Sequence, residues 1–159
     1  MTQGFSQIER EAWGGFLNAY SRINRIVEED LFSHSRITHV EFEVLLRLSW
    51  HPKRRLRIQD LAQQSILTRS GVSRVIERLE KAGLVTREGA SEDRRGAYAI
   101  LTQAGEERLS NAMRAHIVFV RHNFLDLFTA DELKLMAAFW KRIGDRQTEN
   151  KPTPAMSRR

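Results

Sequence analysis

Residues 57–109 decide the fold of this chain, and they read RIQDLAQQSILTRSGVSRVIERLEKAGLVTREGASEDRRGAYAILTQAGEERL. Two short amphipathic segments come first. Two strand-like segments joined by a charged, glycine-bearing stretch follow, and then a new helix begins. A helix, a turn, a second helix and a basic β-hairpin in this order are typical of a winged helix-turn-helix, whose second helix fits the major groove of duplex DNA. The stretch therefore predicts a DNA-binding module.

Capping and breaking residues set the boundaries of the two short helices. The first is predicted over Ile58–Gln64, and residues 65–67 make the turn after it. Thr68 is a good N-cap for the second helix, which is predicted over Arg69–Lys81. Gly83 is expected to end that helix in the left-handed conformation, which glycine adopts without steric cost.

Two strands and a charged tip complete the module. The strands are predicted over residues 84–88 and 98–101, and the tip over residues 89–96. Residues 53–95 hold eleven Lys or Arg and six Asp or Glu, an excess of five positive charges in a chain of formal net charge +6. Most charged runs are only solvated surface. This one coincides with the helix-turn-helix pattern, which favours a surface that faces phosphates.

Longer helices are predicted on both sides of the module. Apolar residues that recur every three or four positions predict a first helix over about residues 5–31. A capping box at residues 38–41 opens the next helix, which ends before Pro52. A long helix is predicted over residues 103–128, and a second capping box at residues 129–132 opens the last one.

The apolar stripes on the first and the last two helices exceed what a winged-helix lobe needs for its own core. Burial against a second copy of the chain is the simplest prediction, and a larger intramolecular bundle is the alternative. The predicted fold is mainly α with a small β-hairpin wing. It comprises a helical dimerisation lobe (1–35 and 103–147), a winged helix-turn-helix lobe (36–102) and a disordered basic tail (148–159).

Composition argues against several other classes of protein. The chain has 159 residues and no Cys, which excludes disulfides, Cys-based zinc sites and thiol switches. It has neither a membrane-length apolar stretch nor the features of a signal peptide, so we expect a cytoplasmic protein. The five His residues lack metal-ligand spacing, and no phosphate loop, nucleophile elbow or carboxylate dyad is recognisable. No enzyme activity, cofactor or metal is therefore predicted.

Short polar and basic residues are expected in the first turns of a recognition helix, because its amino-terminal end approaches the base edges. Arginine can bond guanine twice, and serine or threonine can bond bases or phosphates. The alternatives are a pure N-cap for the threonine and ordinary solvated charge for the arginines. The candidate residues on this helix are Thr68, Arg69, Ser70, Ser73 and Arg74.

The hairpin supplies a second set of candidate contacts. Arg94 and Arg95 lie on its tip, which could enter the minor groove where negative potential is concentrated. Arg87 is a candidate phosphate contact, and the basic residues of 53–57 could steer the approach to DNA without specifying sequence. Arg78 is as compatible with pairing to an acidic neighbour (Glu77, Glu80 or Asp93) as with contacting DNA.

Three motifs at a particular spacing carry a family resemblance. Residues 78–85 (RLEKAGLV) resemble an R-L-E-x-x-G-L-V junction between recognition helix and wing. Residues 93–96 (DRRG) resemble a D-x-R wing signature, and residues 101–105 (LTQAG) resemble an L-T-x-x-G helix start. Together they make the chain similar to the MarR family of bacterial transcription regulators over nearly its whole length.

The resemblance implies a homodimer that binds a pseudo-palindromic operator, most often as a repressor, and releases it when a small ligand binds. It implies that Arg95 enters the groove and that Asp93 holds the wing in shape. It also implies a cleft where the first, second and fifth helices meet, which in this family often takes aromatic acids. The residues predicted there are Tyr20, Phe42, Leu46, Trp50 and His116. Each of them could instead simply fill the core.

Two other possibilities stay open at this point. Some relatives sense metals through His and carboxylate side chains. A winged-helix module can also bind RNA or a protein partner through its basic face, and this is the alternative to a DNA-binding function.

Overall fold

The first helix is longer than its apolar periodicity predicts. The computed structural model describes residues 4–65, 67–89 and 97–149, and in it α1 spans Gln7–Ser35. Ser6 and Glu9 form a capping box at its start. The prediction of 5–31 stopped one turn early because residues 32–35 are only partly apolar and give no periodic signal.

The second helix, α2, spans His39–Trp50 and confirms its predicted boundaries. The Thr38 side chain accepts the Glu41 backbone N–H, and the Glu41 carboxylate accepts the Thr38 backbone N–H, which is the predicted capping box. α2 is followed by a short strand, β1, over Arg55–Arg57, which was not predicted. Its three residues form a strand because they pair with a strand that lies more than forty positions later.

The helix-turn-helix has the predicted limits. α3 spans Ile58–Gln64 and α4 spans Arg69–Lys81, and Gly83 has the expected positive φ of 72°. β2 (Val85–Gly89) and β3 (Ala97–Leu101) follow. The three strands form an antiparallel sheet in the order β1-β3-β2, in which Tyr98 is paired with both Arg57 and Glu88.

The predicted fifth helix was too long. α5 spans Gln103–Asn123, and a 3₁₀ turn over Leu125–Leu127 replaces the last turn of the predicted 103–128 helix. The apolar stripe continues through Phe124 and Leu127, so periodicity alone could not reveal this change of conformation. α6 spans Ala130–Glu149 and begins with the predicted capping box of Thr129 and Glu132.

One core unites the helix-turn-helix with the sheet. The buried face of α4 is the predicted one, formed by Val72, Val75, Ile76 and Leu79. Neighbouring helices and the central strand contribute residues that are fully enclosed, among them Leu45, Leu48, Leu61 and Ala99. The fold is thus mainly α with a small β-hairpin wing on a winged helix-turn-helix, as the sequence predicts.

The chain divides into two compact units, residues 1–119 and 120–159. In each unit a helix carries apolar side chains that remain exposed in the single chain. Those of α1 include Ile8, Trp13 and Tyr20, and those of α6 include Leu135, Phe139 and Ile143. Among the described residues no helix is apolar over a length that would cross a membrane. Residues 150–159 of the predicted basic tail lie outside the described residues.

Candidate nucleic-acid interface

The exposed face of α4 carries the predicted recognition residues. Val72, Val75 and Ile76 turn one side of the helix into the core. Arg74 lies on the opposite side, Arg69 is the first residue of the helix, and both arginines are exposed to solvent. The side chains of these two arginines make no ion pair or hydrogen bond within the described part of the chain. They are therefore exposed cations for which the described residues supply no partner, and an anionic ligand can reach them.

The first turn of α4 is held by its N-cap. The Thr68 hydroxyl accepts the Gly71 backbone N–H at 3.2 Å and lies 3.1 Å from the Ser70 hydroxyl. A Cβ at position 71 would lie 3.3 Å from the Thr68 hydroxyl, so glycine leaves room for this cap. The Ser73 hydroxyl donates to the Arg69 carbonyl at 3.1 Å. Thr68, Ser70 and Ser73 are all exposed, and their hydroxyls can also exchange partners with a ligand.

Arg87 lies on β2, and its guanidinium points towards α4. Its Nε lies 3.1 Å from the Glu80 carboxylate, and its Nη2 donates to the Ser73 carbonyl at 3.4 Å. The Lys81 ammonium, 2.8 Å from the Glu77 carboxylate, lowers the Glu77 pKa, and Arg87 adds to this effect. The carboxylates on this side of α4 are therefore matched by cations.

The tip of the hairpin carries the remaining predicted contacts. Asp93, Arg94 and Arg95 lie in the segment 90–96, outside the described residues. The paired strands β2 and β3 lead into this segment from both sides, with Gly89 opposite Ala97.

Arg78 pairs with an acidic residue other than the three neighbours, Glu77, Glu80 and Asp93, that its place in the sequence suggests. Its Nε donates to the Glu41 carboxylate at 2.9 Å, so the partner lies on α2. The sequence alone does not reveal this pair, because the two residues are far apart in the chain and only the packing of α2 against α4 brings them together.

A basic and aromatic cluster on the sheet was also missed. The Arg55 guanidinium lies 4.2 Å from the centre of the Tyr98 ring and 3.3 Å from the Glu88 carboxylate. The Arg57 Nε donates to the Tyr98 hydroxyl at 3.1 Å, and this bond is the main reason why the Tyr98 pKa is lowered. Arg54 forms an ion pair with Glu106. Three of the four basic residues near β1 therefore have protein partners.

Two of the five predicted cleft residues are in direct contact. The Phe42 and His116 rings lie 4.9 Å apart, so α2 and α5 meet there. Leu46 packs half-buried against the core, and Tyr20 is exposed on α1 with its ring stacked on Phe16 at 6.3 Å. Trp50 lies eight residues beyond Phe42, about 12 Å further along α2.

Trp50 belongs to a different depression. It is 71% exposed and borders a surface hollow together with Arg47, His51 and Asp60. Phe42 and His116 do not line this hollow. The structure therefore brings together Phe42 and His116, with Leu46 nearby on the same helix, but not Trp50.

The surroundings of His116 oppose its protonation. Burial lowers the His116 pKa, nearby His39 lowers it further, and Asp30 acts in the opposite direction. One ring nitrogen, Nδ1, is buried and has no hydrogen-bond partner among the described residues, and the same holds for one carboxylate oxygen of Asp30. Within the described residues, no cluster of three or more His, Asp or Glu side chains is arranged to hold a metal ion.

Comparison with known proteins agrees with this architecture. The family model for the MarR family matches residues 37–96. Sco3205, a MarR family transcriptional regulator from Streptomyces coelicolor solved in complex with DNA, is 30% identical, and the match covers 91% of each chain with a TM-score of 0.86. AbsC, a MarR family transcriptional regulator from the same organism, is 30% identical with a TM-score of 0.86, over 94% of this chain and 100% of AbsC.

A curated relative points the same way. The HTH-type transcriptional regulator PapX from Escherichia coli is 26% identical over 125 residues, which is 77% of this chain and 76% of PapX. The similarity to the two Streptomyces regulators extends over nearly the full length of each protein, and the family model covers the helix-turn-helix and the first strand of the wing. This chain belongs to the MarR family of transcriptional regulators.

Proposed function

We propose that this protein is a cytoplasmic, sequence-specific DNA-binding regulator that acts as a homodimer on a pseudo-palindromic operator. The observation that carries the proposal is the exposed face of α4, where Arg69 and Arg74 have no protein partner within the described residues. Unpaired arginines on a recognition helix can bond guanine edges in the major groove or neutralise phosphates. The DNA complex of Sco3205 supports the same use of this fold.

Each half of the operator would be read by one α4 and one hairpin. In this proposal Thr68, Ser70 and Ser73 bond bases or phosphates beside the two arginines, and Arg94 and Arg95 reach the minor groove from the hairpin tip. The positive excess in residues 53–95 supports the proposal, because it raises the local attraction for a polyanion.

Dimerisation would use the long helices at both ends of the chain. In the proposed organisation, residues 1–35 and 103–147 form the dimerisation lobe and residues 36–102 the DNA-binding lobe. Support comes from apolar side chains such as Trp13 and Phe139, which are 55% and 47% exposed in the single chain. An exposed apolar face on a helix usually marks a protein interface. A two-fold dimer would present two recognition helices to major grooves about one helical turn apart.

We further propose that the protein represses transcription and that a small aromatic acid releases it from the operator. The cleft would form around Phe42 and His116, whose rings are in contact where α2 meets α5. Leu46, one turn from Phe42 on α2, and Tyr20 on α1 remain members of the proposed ligand region, whereas Trp50 is left out of it because it borders a separate hollow. A ligand would act only to the extent that it binds the released conformation more tightly than the DNA-bound one.

The test is equilibrium binding of the full chain to labelled duplex DNA from upstream of its own gene, measured by fluorescence anisotropy. We expect the logarithm of the binding constant to fall linearly with the logarithm of salt concentration, with a slope of several units, because each neutralised phosphate contributes about 0.9. Arg74→Ala and Arg95→Ala should each weaken binding by more than about 1 kcal/mol.

Arg22→Ala is the matched control, because Arg22 is an exposed arginine on α1, outside the winged motif. It should leave the affinity nearly unchanged. An RNA of equal length distinguishes the alternative function. Tighter binding to that RNA than to the duplex, or full affinity in both arginine variants, would contradict the proposal.

A further inference from the structure

Arg87 joins the strand that leads to the wing tip with the recognition helix. Its Nε lies 3.1 Å from the Glu80 carboxylate, and its Nη2 donates to the Ser73 carbonyl at 3.4 Å. Ser73 and Glu80 are seven residues apart on α4. The Ser73 carbonyl points towards the carboxyl end of α4, and the Glu80 side chain leans back towards the amino end. The two groups therefore approach each other, and the Arg87 guanidinium contacts both. One side chain of β2 thus spans about two turns of α4.

These contacts leave Arg87 poorly suited to bind a phosphate. Its side chain is 35% exposed, and the Glu80 carboxylate beside it is a competing anion. A phosphate would have to displace Glu80 or share the guanidinium with it, and the displaced carboxylate would then face the DNA. Arg69 and Arg74, by contrast, have no such competitor among the described residues.

Backbone hydrogen bonds hold β2 at its start and along its pairing with β3, and none of them joins the far end of the strand to α4 within the described residues. Gly83 and Leu84 donate to the last turn of α4, to the Glu80 and Leu79 carbonyls. Arg87 lies three residues beyond Leu84, and the basic segment 90–96 follows Gly89 directly. A small rotation of the paired strands β2 and β3 relative to α4 would therefore move their far end, at Gly89 and Ala97, more than their start at Val85. Arg87 makes its contacts with α4 at a point where they oppose such a rotation.

We propose that Arg87 is a positioning residue for DNA recognition rather than a phosphate contact. It holds the wing strand at a fixed angle to α4, and the Glu80 carboxylate is its partner in this role. The pair thereby sets the offset between the major-groove site read by α4 and the groove reached by the hairpin. Operators whose two contact regions have that offset are bound most tightly. This inference rests on the proposed DNA-binding function.

The decisive variant is Glu80→Gln, for which the two roles of Arg87 predict opposite results. If Arg87 were a phosphate contact, removing the competing carboxylate would release it and tighten binding. If Arg87 positions the wing, Glu80→Gln should weaken binding about fivefold, as Arg87→Ala should, because each protomer loses a partly exposed ion pair of about 0.5 kcal/mol. The double variant should be no weaker than Arg87→Ala alone.

The salt dependence gives a second readout. Loss of one phosphate contact per half-site lowers the slope by about 0.9 for each contact, whereas loss of positioning leaves the slope of Arg87→Ala equal to that of the parent. Glu77→Gln is the matched control, since it removes one carboxylate from the same helix, where Lys81 is its partner. It should not weaken binding.

Two further measurements keep the roles apart. Hydrogen exchange of the β2 and β3 amides in the absence of DNA should be faster in both Glu80→Gln and Arg87→Ala, with a melting temperature lowered by no more than a few degrees. An operator with one base pair inserted between the helix and wing regions should lose less affinity for these variants than for the parent, relative to the unmodified operator.

Tighter binding by Glu80→Gln, or a lower salt slope in Arg87→Ala, would overturn the positioning role while leaving the DNA-binding function intact. Failure of the parent itself to bind duplex DNA would overturn both.

Discussion

The Arg78 guanidinium on α4 donates to the Glu41 carboxylate on α2 at 2.9 Å. The same carboxylate accepts the Thr38 backbone N–H at 2.9 Å and so completes the capping box of α2. The Glu41 side chain is only 12% exposed, whereas that of Arg78 is 56% exposed. Glu41 therefore both starts α2 and ties α2 to the recognition helix.

Glu41→Ala should lower the free energy of unfolding by about 1–2 kcal/mol, because it removes part of an N-terminal cap as well as the ion pair. Arg78→Ala should cost less, about 0.5 kcal/mol, since it removes only the partly exposed pair and leaves the cap. Urea denaturation followed by circular dichroism measures both. A larger cost for Arg78→Ala than for Glu41→Ala would show that the cap contributes little.

Gly105 lies against the junction between α4 and β2. A Cβ built on it would lie 2.1 Å from the Leu84 carbonyl oxygen, which is backbone and has little freedom to move. The Thr102 backbone N–H donates to the same carbonyl at 3.1 Å, and the Thr102 hydroxyl donates to the Gly83 carbonyl at 2.8 Å. The start of α5 is thus packed directly on the turn that leads into the wing.

Gly105→Ala should destabilise the protein by about 1–3 kcal/mol, although alanine favours a helix more than glycine does, because the methyl group overpacks this contact. Gly15→Ala is the control of opposite sign. Gly15 is in α1, and a Cβ added there would meet no described atom within 4 Å, so alanine should stabilise the chain by about 0.5–1 kcal/mol. Thermal unfolding of the two variants should shift in opposite directions; a stabilised Gly105→Ala would contradict the predicted overpacking.

Local chemistry explains which elements the sequence reveals. The capping boxes at Thr38 and Thr129, the N-cap Thr68 and the glycine at 83 act within a few residues, and the helices they delimit begin or end where predicted. β1 depends on pairing with β3, far along the chain, and has no local signal of its own. The end of α5 was missed because apolar spacing continues into a 3₁₀ turn.

The residues of the candidate site also fall into those that the sequence identifies and those that only the packing of elements reveals. Residue type and helical position suffice to find the exposed arginines of α4. The partners of Arg78 and Arg87 follow from packing between elements, which no spacing in the sequence expresses. The Arg55–Tyr98 stack likewise depends on the alignment of two strands.

His116 should make stability depend on pH. Burial lowers the His116 pKa in the folded protein below its value in the unfolded chain. The unfolded chain therefore binds more protons as the solution is acidified, so the neutral ring favours folding fully above the unfolded pKa of about 6.5, and this contribution is lost as the pH falls towards the folded pKa.

His116→Gln removes this titration. The urea midpoint of the parent should fall more steeply than that of the variant when the pH is lowered from 7.5 to 5.5, and at constant ionic strength the two curves should converge on the acid side. Equal slopes in the parent and in His116→Gln would mean that the burial of this ring does not affect its protonation in solution.

The exposed apolar face of α6 should be an interface between two copies of the chain. Leu135, Phe139 and Ile143 recur every four residues along α6 and are 56%, 47% and 54% exposed in the single chain. Because these side chains are not enclosed in the single chain, charged substitutions at their positions disturb the packing of one chain little and act mainly on the assembly of two.

Phe139→Asp with Ile143→Glu should give a folded monomer or a dimer at least tenfold weaker, with operator affinity reduced in parallel. Light scattering coupled to size-exclusion chromatography measures the mass, and circular dichroism checks the helix content. Lys141→Glu is the control, since position 141 lies on the opposite side of α6 from 139 and its charge change should leave the dimer intact. A double variant that remains a dimer with full affinity for DNA would rule out this face of α6 as the interface.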